Sequence, residues 1–130
     1  MSLSEFVKSS DWKTEKHIPA IDAPQSVKKG EPFAVAVTVG KEIAHPNTTT
    51  HFIAWIALHY VPEGAKNSIE IGRAEFSAHG ASMSEPDTGP ARTQSSVVFN
   101  LSLTAPGKLY ATAYCNIHGL WSSEQAIAVS

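Results

Sequence analysis

The sequence predicts an all-β fold, a β-sandwich of six or seven short strands. Short apolar or alternating segments recur along the chain, and Gly, Pro or Ser residues separate them, a pattern typical of a sandwich. No segment has the 3.6-residue apolar periodicity of a long amphipathic helix. Neither an internal repeat nor a linker divides the 130 residues, so we expect a single domain over residues 1–130.

Most strands can be placed individually. Residues 33–39 are β-branched and apolar, and a Lys-Gly-Glu-Pro turn precedes them. Residues 52–60 form an apolar run that is too short and too aromatic to favour a helix. Residues 69–76 alternate apolar and polar side chains, as a strand with one wet face does, and residues 77–94 predict a long loop. We also expect strands at residues 97–103, 109–114 and 125–129, and one helical turn at residues 4–8.

Charge and composition exclude several classes of function. Ten Lys and Arg against twelve Asp and Glu give a net charge of −2, so a broad basic surface for nucleic acid is not expected. No apolar stretch approaches the roughly 20 residues that cross a bilayer, and the first residues lack a signal-peptide pattern. A single cysteine cannot form an internal disulfide. We therefore expect a cytoplasmic protein with a reduced thiol, no membrane contact and no nucleic-acid partner.

Six histidines and the one cysteine are the candidate functional residues. Cys115 and His118 form a Cys-x-x-His pair at the end of a predicted strand, where a tight turn can direct both side chains towards one ion. His45 and His51 bracket a loop that leads directly into another strand, and His17 adds a fifth donor. Each of these features alone is weak evidence for a metal site. Together they indicate iron, copper or zinc, because imidazole and thiolate are ligands that these metals prefer.

Two histidines are not expected at the same ion. His59 lies eight residues beyond His51, about 26 Å along a strand. His79 has no ligand-type neighbour in the sequence, so we interpret it as an ordinary loop residue. Trp55 and Trp121 are expected to be core or rim aromatics.

Four segments resemble the superoxide reductases, also called neelaredoxins, and the iron domain of desulfoferrodoxin. They are Glu15-Lys16-His17-Ile18-Pro19, residues 40–48, residues 51–56 and Tyr114-Cys115-Asn116-Ile117-His118-Gly119-Leu120-Trp121. The likeness extends over essentially the whole chain. It implies an immunoglobulin-like, seven-stranded β-sandwich or barrel, which agrees with the strand count from the sequence pattern.

The resemblance also implies a mononuclear non-haem iron with four equatorial histidines and one axial cysteine thiolate. The equatorial ligands would be His17, His45, His51 and His118, and the axial ligand would be Cys115. Such a ligand set leaves an octahedral iron one open position for a small diatomic. Thiolate donation would favour electron transfer from the iron, as it does in thiolate-ligated haem.

The implied reaction is the one-electron reduction of superoxide to hydrogen peroxide. Lys16 would attract the anionic substrate and assist proton delivery, and Glu15 would occupy the sixth position of the oxidised iron. Desulfoferrodoxin-type members carry an additional four-cysteine iron domain, so the single cysteine here indicates the one-iron class. The family therefore implies a separate electron donor such as rubredoxin, and it also implies a homotetramer.

Three alternatives stay open at this point. Cupredoxin-like electron carriers also place Cys-x-x-His on a late loop of a β-sandwich, but they normally need an axial Met soon after the last His, which this sequence lacks. A binding module of immunoglobulin-like fold would need no metal. A zinc hydrolase would need a carboxylate base, for which Glu15 is a candidate.

Overall fold

The computed structural model describes residues 1–130 and consists almost entirely of two β-sheets. A 3-10 helix at Leu3–Phe6 precedes the strands, where one helical turn was expected. The strands are β1 (Val7–Lys8), β2 (Pro19–Asp22), β3 (Ser26–Val27), β4 (Phe33–Val39), β5 (Ile53–Pro62), β6 (Ile69–Glu75), β7 (Ser96–Leu101), β8 (Gly107–Cys115) and β9 (Gly119–Val129). The all-β prediction is therefore confirmed.

The larger sheet has the strand order β1-β9-β8-β5-β6, and β3 pairs with β9 beyond this path. The smaller sheet has the order β2-β4-β7. The neighbours are antiparallel except β1 and β3, which run parallel to β9. These two strands have only two residues each, so the remaining seven form the sandwich that the sequence predicted. No helix is long and apolar enough to span a membrane.

Alternating side chains of both sheets form the hydrophobic core. On β4 and β8 every second residue is buried, which is the pattern of a strand with one face against a core. The last inward residue of β8 is the fully buried Cys115. The core is therefore continuous with the sulfur of a candidate metal ligand. The core residues on these strands are Val35, Val37, Val39, Leu109, Ala111, Ala113 and Cys115.

The main difference from the sequence prediction lies in β9. This strand begins at Gly119, six residues before the predicted start, and continues the β8–β9 hairpin from the pair Cys115–Gly119. Its first half is rich in polar residues, so apolar patterning did not indicate it; pairing with β8 along its whole length determines its start. Residues 77–94 form a loop, as predicted, and contain only an isolated bridge between His79 and Arg92.

One end of the sandwich collects the segments that carry the candidate ligands. Cys115 pairs with Ile53 at the start of β5, and Pro19 at the start of β2 pairs with Val39 at the end of β4. The turn between β8 and β9, the loop between β4 and β5, and the segment before β2 therefore meet at this end. Loops at the end of a rigid sandwich are a frequent location of functional side chains.

Candidate metal centre

Four imidazoles form a closed arrangement at this end, which we call the four-histidine ring. The centroid of His17 lies 4.9 Å from that of His45, and the centroid of His45 lies 4.8 Å from that of His51. His118 closes the ring at 5.0 Å from His51 and 4.8 Å from His17. Neighbouring planes are inclined by 52° to 79°. Four imidazoles at nearly equal spacing therefore bound one small space.

The sulfur of Cys115 lies beside this ring. Donor atoms of His17, His45, His51 and Cys115 all lie within 4.8 Å of one another. His118 joins through Nδ1, which is 3.7 Å from Sγ of Cys115 and 3.2 Å from Nε2 of His17. The backbone N–H of His118 donates to Sγ at 3.4 Å, a contact that stabilises a thiolate. The structure thus brings together all five ligand candidates from the sequence.

Hydrogen bonds at the outer nitrogens fix two of the imidazole tautomers. Nδ1–H of His45 donates to the carbonyl of Pro46 at 2.6 Å, and Nδ1–H of His17 donates to Oε1 of Glu15 at 2.6 Å. Their Nε2 atoms therefore carry lone pairs. Nε2 of His45 and Nε2 of His51 are buried and have no hydrogen-bond partner. Buried polar atoms without a partner are rare and unfavourable, and a metal ion in the ring would satisfy both.

Burial favours the neutral form of three histidines of the ring. It lowers the pKa of His45 from 6.5 to about 4, and it also lowers the pKa of His17 and of His51. The positive charge of Lys16 contributes to the lowering at all three histidines. Neutral imidazoles are the form that binds metal, so little proton release is needed for binding near neutral pH.

Glu15 and Lys16, the other two predicted site residues, both lie partly buried beside His17. The Glu15 carboxylate accepts the Nδ1–H of His17 and also its backbone N–H at 3.1 Å. The hydrogen bond from the His17 side chain is the main cause that lowers the pKa of Glu15. For His17, burial outweighs the carboxylate, so the contact joins a carboxylate to a neutral imidazole. Glu15 thus orients His17, a role that the sequence did not indicate.

Asn116 ties the β8–β9 turn to the loop that ends at His51. Its Oδ1 accepts the backbone N–H of Phe52 at 2.8 Å, and its Nδ2 donates to the carbonyl of Thr50 at 2.9 Å. The two bonded residues flank His51 in the sequence. Asn116 therefore fixes the position of His51 relative to the turn that carries His118. The only sequence signal was its place inside the Cys-x-x-His motif.

The two histidines outside the ring have different environments. His59 lies half-buried on β5 with Nε2 3.8 Å from Oε1 of Glu70, and it takes no part in the ring, as expected. His79 lies in the loop of residues 77–94, as predicted, but it is only 7% exposed, and each of its ring nitrogens lies 2.8 Å from an oxygen. Its contacts involve Asn47 and Phe76, and short-range sequence patterns do not indicate such partners.

Comparison with known proteins agrees with this geometry. The desulfoferrodoxin family model matches residues 9–124. The neelaredoxin of Megalodesulfovibrio gigas is 48% identical over 129 residues, which cover 99% of each chain. A crystal structure of a Thermotoga maritima relative has a TM-score of 0.97 and 49% identity, covering 100% of this chain and 98% of that one. The reduced superoxide reductase (neelaredoxin) of Archaeoglobus fulgidus has a TM-score of 0.86 and 48% identity, covering 95% and 98%.

The β-sandwich and the histidine–cysteine cluster define a metal-binding protein of immunoglobulin-like fold. More particularly, the chain belongs to the desulfoferrodoxin family, whose members include the superoxide reductases. Membership of this family argues against the cupredoxin, simple binding-module and zinc-hydrolase alternatives.

Proposed function

We propose that the chain binds one mononuclear non-haem iron and reduces superoxide to hydrogen peroxide. His17, His45, His51, His118 and Cys115 would hold the iron. The observation that carries the proposal is the four-histidine ring, whose neighbouring centroids lie 4.8 to 5.0 Å apart, with the Cys115 sulfur beside it. A blue-copper site uses only two histidines with one cysteine, so a ring of four supports iron instead.

Iron bound in this ring would supply reversible one-electron chemistry, and the thiolate would favour donation of the electron to superoxide. The balanced reaction joins one superoxide anion, one electron and two protons to give one molecule of hydrogen peroxide. His118 is exposed, whereas His17 and Cys115 are buried. The exposed side of the ring offers an approach for a small anion, and the buried side keeps water from the sulfur.

Lys16 supports the choice of an anionic substrate. Its ammonium charge contributes to the lowered pKa of His17, His45 and His51, so its field reaches the ring. A positive charge beside the site raises the local concentration of anions and their association rate. Glu15 holds the Nδ1 proton of His17 and thereby keeps Nε2 of His17 free for the metal. We also propose that Glu15 occupies the sixth coordination position of the iron after oxidation.

The remaining partners are also proposals. The chain has one cysteine, and the iron site uses it, so we propose that the electron comes from a separate small redox protein such as a rubredoxin. We further propose a homotetramer, with residues 1–130 as one domain in each subunit. A buried free thiol that must stay reduced for metal binding suits a reducing compartment, and we propose the cytoplasm.

The test is metal analysis of protein purified without added metal, combined with visible spectra before and after oxidation. We expect about one iron per chain and a thiolate-to-iron charge-transfer band that Cys115→Ser abolishes. His51→Ala should lower iron retention, whereas the matched variant His59→Ala should retain it. Stopped-flow mixing with superoxide should then give peroxide without dioxygen. Copper, zinc or no metal, together with failure to reconstitute with iron, would overturn the proposal.

A further inference from the structure

We propose that His79 is a positioning residue for the metal centre. It holds the loop between β4 and β5 against the end of β6. This loop carries His45 and His51, and we call it the ligand loop. The inference rests on the proposed metal site, but it concerns a residue outside the ligand set. His79 is distant from the ligand loop in the sequence, and only the fold of the chain brings the two together.

The imidazole of His79 connects the sheet to the ligand loop. Its Nε2 lies 2.8 Å from the carbonyl oxygen of Phe76, just beyond the end of β6. Its Nδ1 lies 2.8 Å from Oδ1 of Asn47, two residues after His45. Both oxygens are acceptors, so a neutral imidazole donates its one N–H to either of them in turn. Phe76 is itself fixed, because its backbone N–H donates to the carbonyl of Ala54 on β5 at 2.8 Å. The ring of His79 therefore joins the ligand loop to a rigid part of the sandwich.

The same ring also contacts the other end of the ligand loop. The phenyl ring of Phe52 stacks on His79, with centroids 3.9 Å apart and planes inclined by 13°. Phe52 directly follows His51. His79 thus touches one residue near each of the two histidines, so a displacement of its ring would move both imidazoles. No other histidine outside the four-histidine ring has such contacts.

Further bonds hold the loop of residues 77–94 against the ligand loop. Nδ2 of Asn47 donates to the carbonyl of Thr93 at 3.0 Å, and Nε of Arg92 donates to the carbonyl of Asn47 at 3.1 Å. Oδ1 of Asp87 accepts the backbone N–H of Thr49 at 2.6 Å. Each of these bonds ends on the ligand loop between its two histidines. The loop of residues 77–94 therefore holds the segment between His45 and His51 in place.

A glycine beside His79 makes room for the side chain of Arg92, which contacts the ligand loop. Gly80 has φ +88°, and a Cβ there would lie 2.5 Å from Nη2 of Arg92. The left-handed backbone favours glycine at this position, and the guanidinium of Arg92 would have to shift to admit a side chain. The absence of a side chain at Gly80 thus lets the guanidinium of Arg92 lie close to the backbone there, where its Nε–H donates to the ligand loop.

Removing the nitrogens of His79 should act on the metal through the loop. The carbonyl oxygen of Phe76 and Oδ1 of Asn47 would lose the imidazole N–H that they share, so the loop would move to recover a donor. Residues that orient ligands in this way typically change metal affinity about 10- to 100-fold when they are replaced. A residue that only fills the core would instead change unfolding of the metal-free protein and leave metal affinity unchanged.

The experiment compares the wild-type protein with His79→Phe, Asn47→Ala and His59→Phe. His79→Phe keeps an aromatic ring against Phe52 and removes both nitrogens. His59→Phe is the matched control, because it makes the same change at a half-buried histidine outside the four-histidine ring. Each metal-free protein is titrated with Co²⁺ in competition with a chelator. The thiolate-to-Co²⁺ charge-transfer band and the thermal unfolding of the metal-free protein are recorded in parallel.

We expect His79→Phe and Asn47→Ala to weaken Co²⁺ binding about 10- to 100-fold and to shift the charge-transfer band. His59→Phe should leave both unchanged. Wild-type affinity and band in the two loop variants, even with a lower unfolding temperature, would overturn the inference. If His79→Phe does not fold, Asn47→Ala decides by the same two readouts. A wild-type protein without any thiolate band would overturn the metal site itself, a result distinct from failure of the loop variants.

Discussion

The indole of Trp121 lies stacked on the imidazole of His17, with ring centroids 4.6 Å apart and planes inclined by 13°. Its Nε1–H donates to the carbonyl of His118 at 3.2 Å, and the ammonium of Lys8 lies 5.3 Å from the indole centroid. Trp121 thus contacts two histidines of the ring that are 101 positions apart in the sequence. It was expected to be a core or rim aromatic, and it is a buried aromatic that packs directly on the candidate ligands.

This contact predicts different results for two substitutions of Trp121. Trp121→Phe keeps a ring against His17 and loses the bond to His118, so a modest loss of Co²⁺ affinity is expected. Trp121→Ala removes both contacts and should also lower the free energy of unfolding by about 3–5 kcal/mol. Chelator competition and urea unfolding measure the two effects. Trp55→Ala is the control, because Trp55 stacks on Tyr114, whose side chain lies on the face of β8 opposite to Cys115, and its metal affinity should match wild type.

Lys16→Ala should slow the reaction with superoxide at low ionic strength and leave the visible spectrum of the iron unchanged. The reason is that the charge steers an anion but holds no metal. Stopped-flow rates at several salt concentrations measure this effect, and the salt dependence should become weaker in the variant. Lys66→Ala, in the exposed loop after β5 at the opposite end of the sandwich, should react like the wild type. Equal low-salt rates for both variants would contradict steering by Lys16.

Asn116→Ala should weaken metal binding about 10-fold or more, because the turn carrying His118 would no longer be fixed to the residues around His51. Loss of two hydrogen bonds should also lower the free energy of unfolding by roughly 1–3 kcal/mol. Asn100→Ala is the matched control on β7, since Asn100 is exposed and distant from the ring. Metal affinity equal in the two variants would show that the backbone alone fixes the turn.

The metal-free protein should lose stability as the pH falls from about 6.5 to about 4. The folded chain keeps His45 neutral, because burial lowers its pKa to about 4, whereas the unfolded chain binds a proton near pH 6.5. The unfolded state therefore holds more protons throughout this window, so the free energy of unfolding rises with pH there. The lowered pKa values of His17 and His51 act in the same direction.

Urea unfolding of the metal-free protein at a series of pH values measures this dependence. His45→Gln removes one titrating group, so its unfolding free energy should change less across the same window. A wild-type midpoint that does not vary with pH would contradict the neutral, buried state of these imidazoles.

Local patterns were sufficient to predict most of the strands. The segment Phe33–Val39 became β4 with the predicted bounds, because its β-branched residues alternate between core and surface. The start of β9 could not be predicted in this way, since Ser122, Ser123 and Glu124 carry no strand signal. Their hydrogen-bonded partners are Thr112, Ala111 and Tyr110 on β8, and this pairing overrides the weak local preference.

For the site, the sequence indicated the ligands but not what holds them. Residue type and spacing selected His45, His51 and Cys115, because imidazole and thiolate chemistry is local to each side chain. The contact of His79 with Asn47 joins positions 32 apart, and its direction depends on how a long loop folds. Glu15 was predicted from the family resemblance as the occupant of the sixth position, yet its hydrogen bond to His17 depends on a backbone conformation that no spacing rule gives.

The separation of 101 positions between His17 and His118 also has a consequence for the timing of metal capture during synthesis. At about 5–20 residues per second, translation takes roughly 5–20 s to pass from the first of these histidines to the second. For almost all of this interval the nascent chain carries imidazoles but has not yet received Cys115, which precedes His118 by three residues. A metal ion that meets it then finds an incomplete coordination shell. The full set of candidate ligands therefore comes together only once the β8–β9 hairpin has formed.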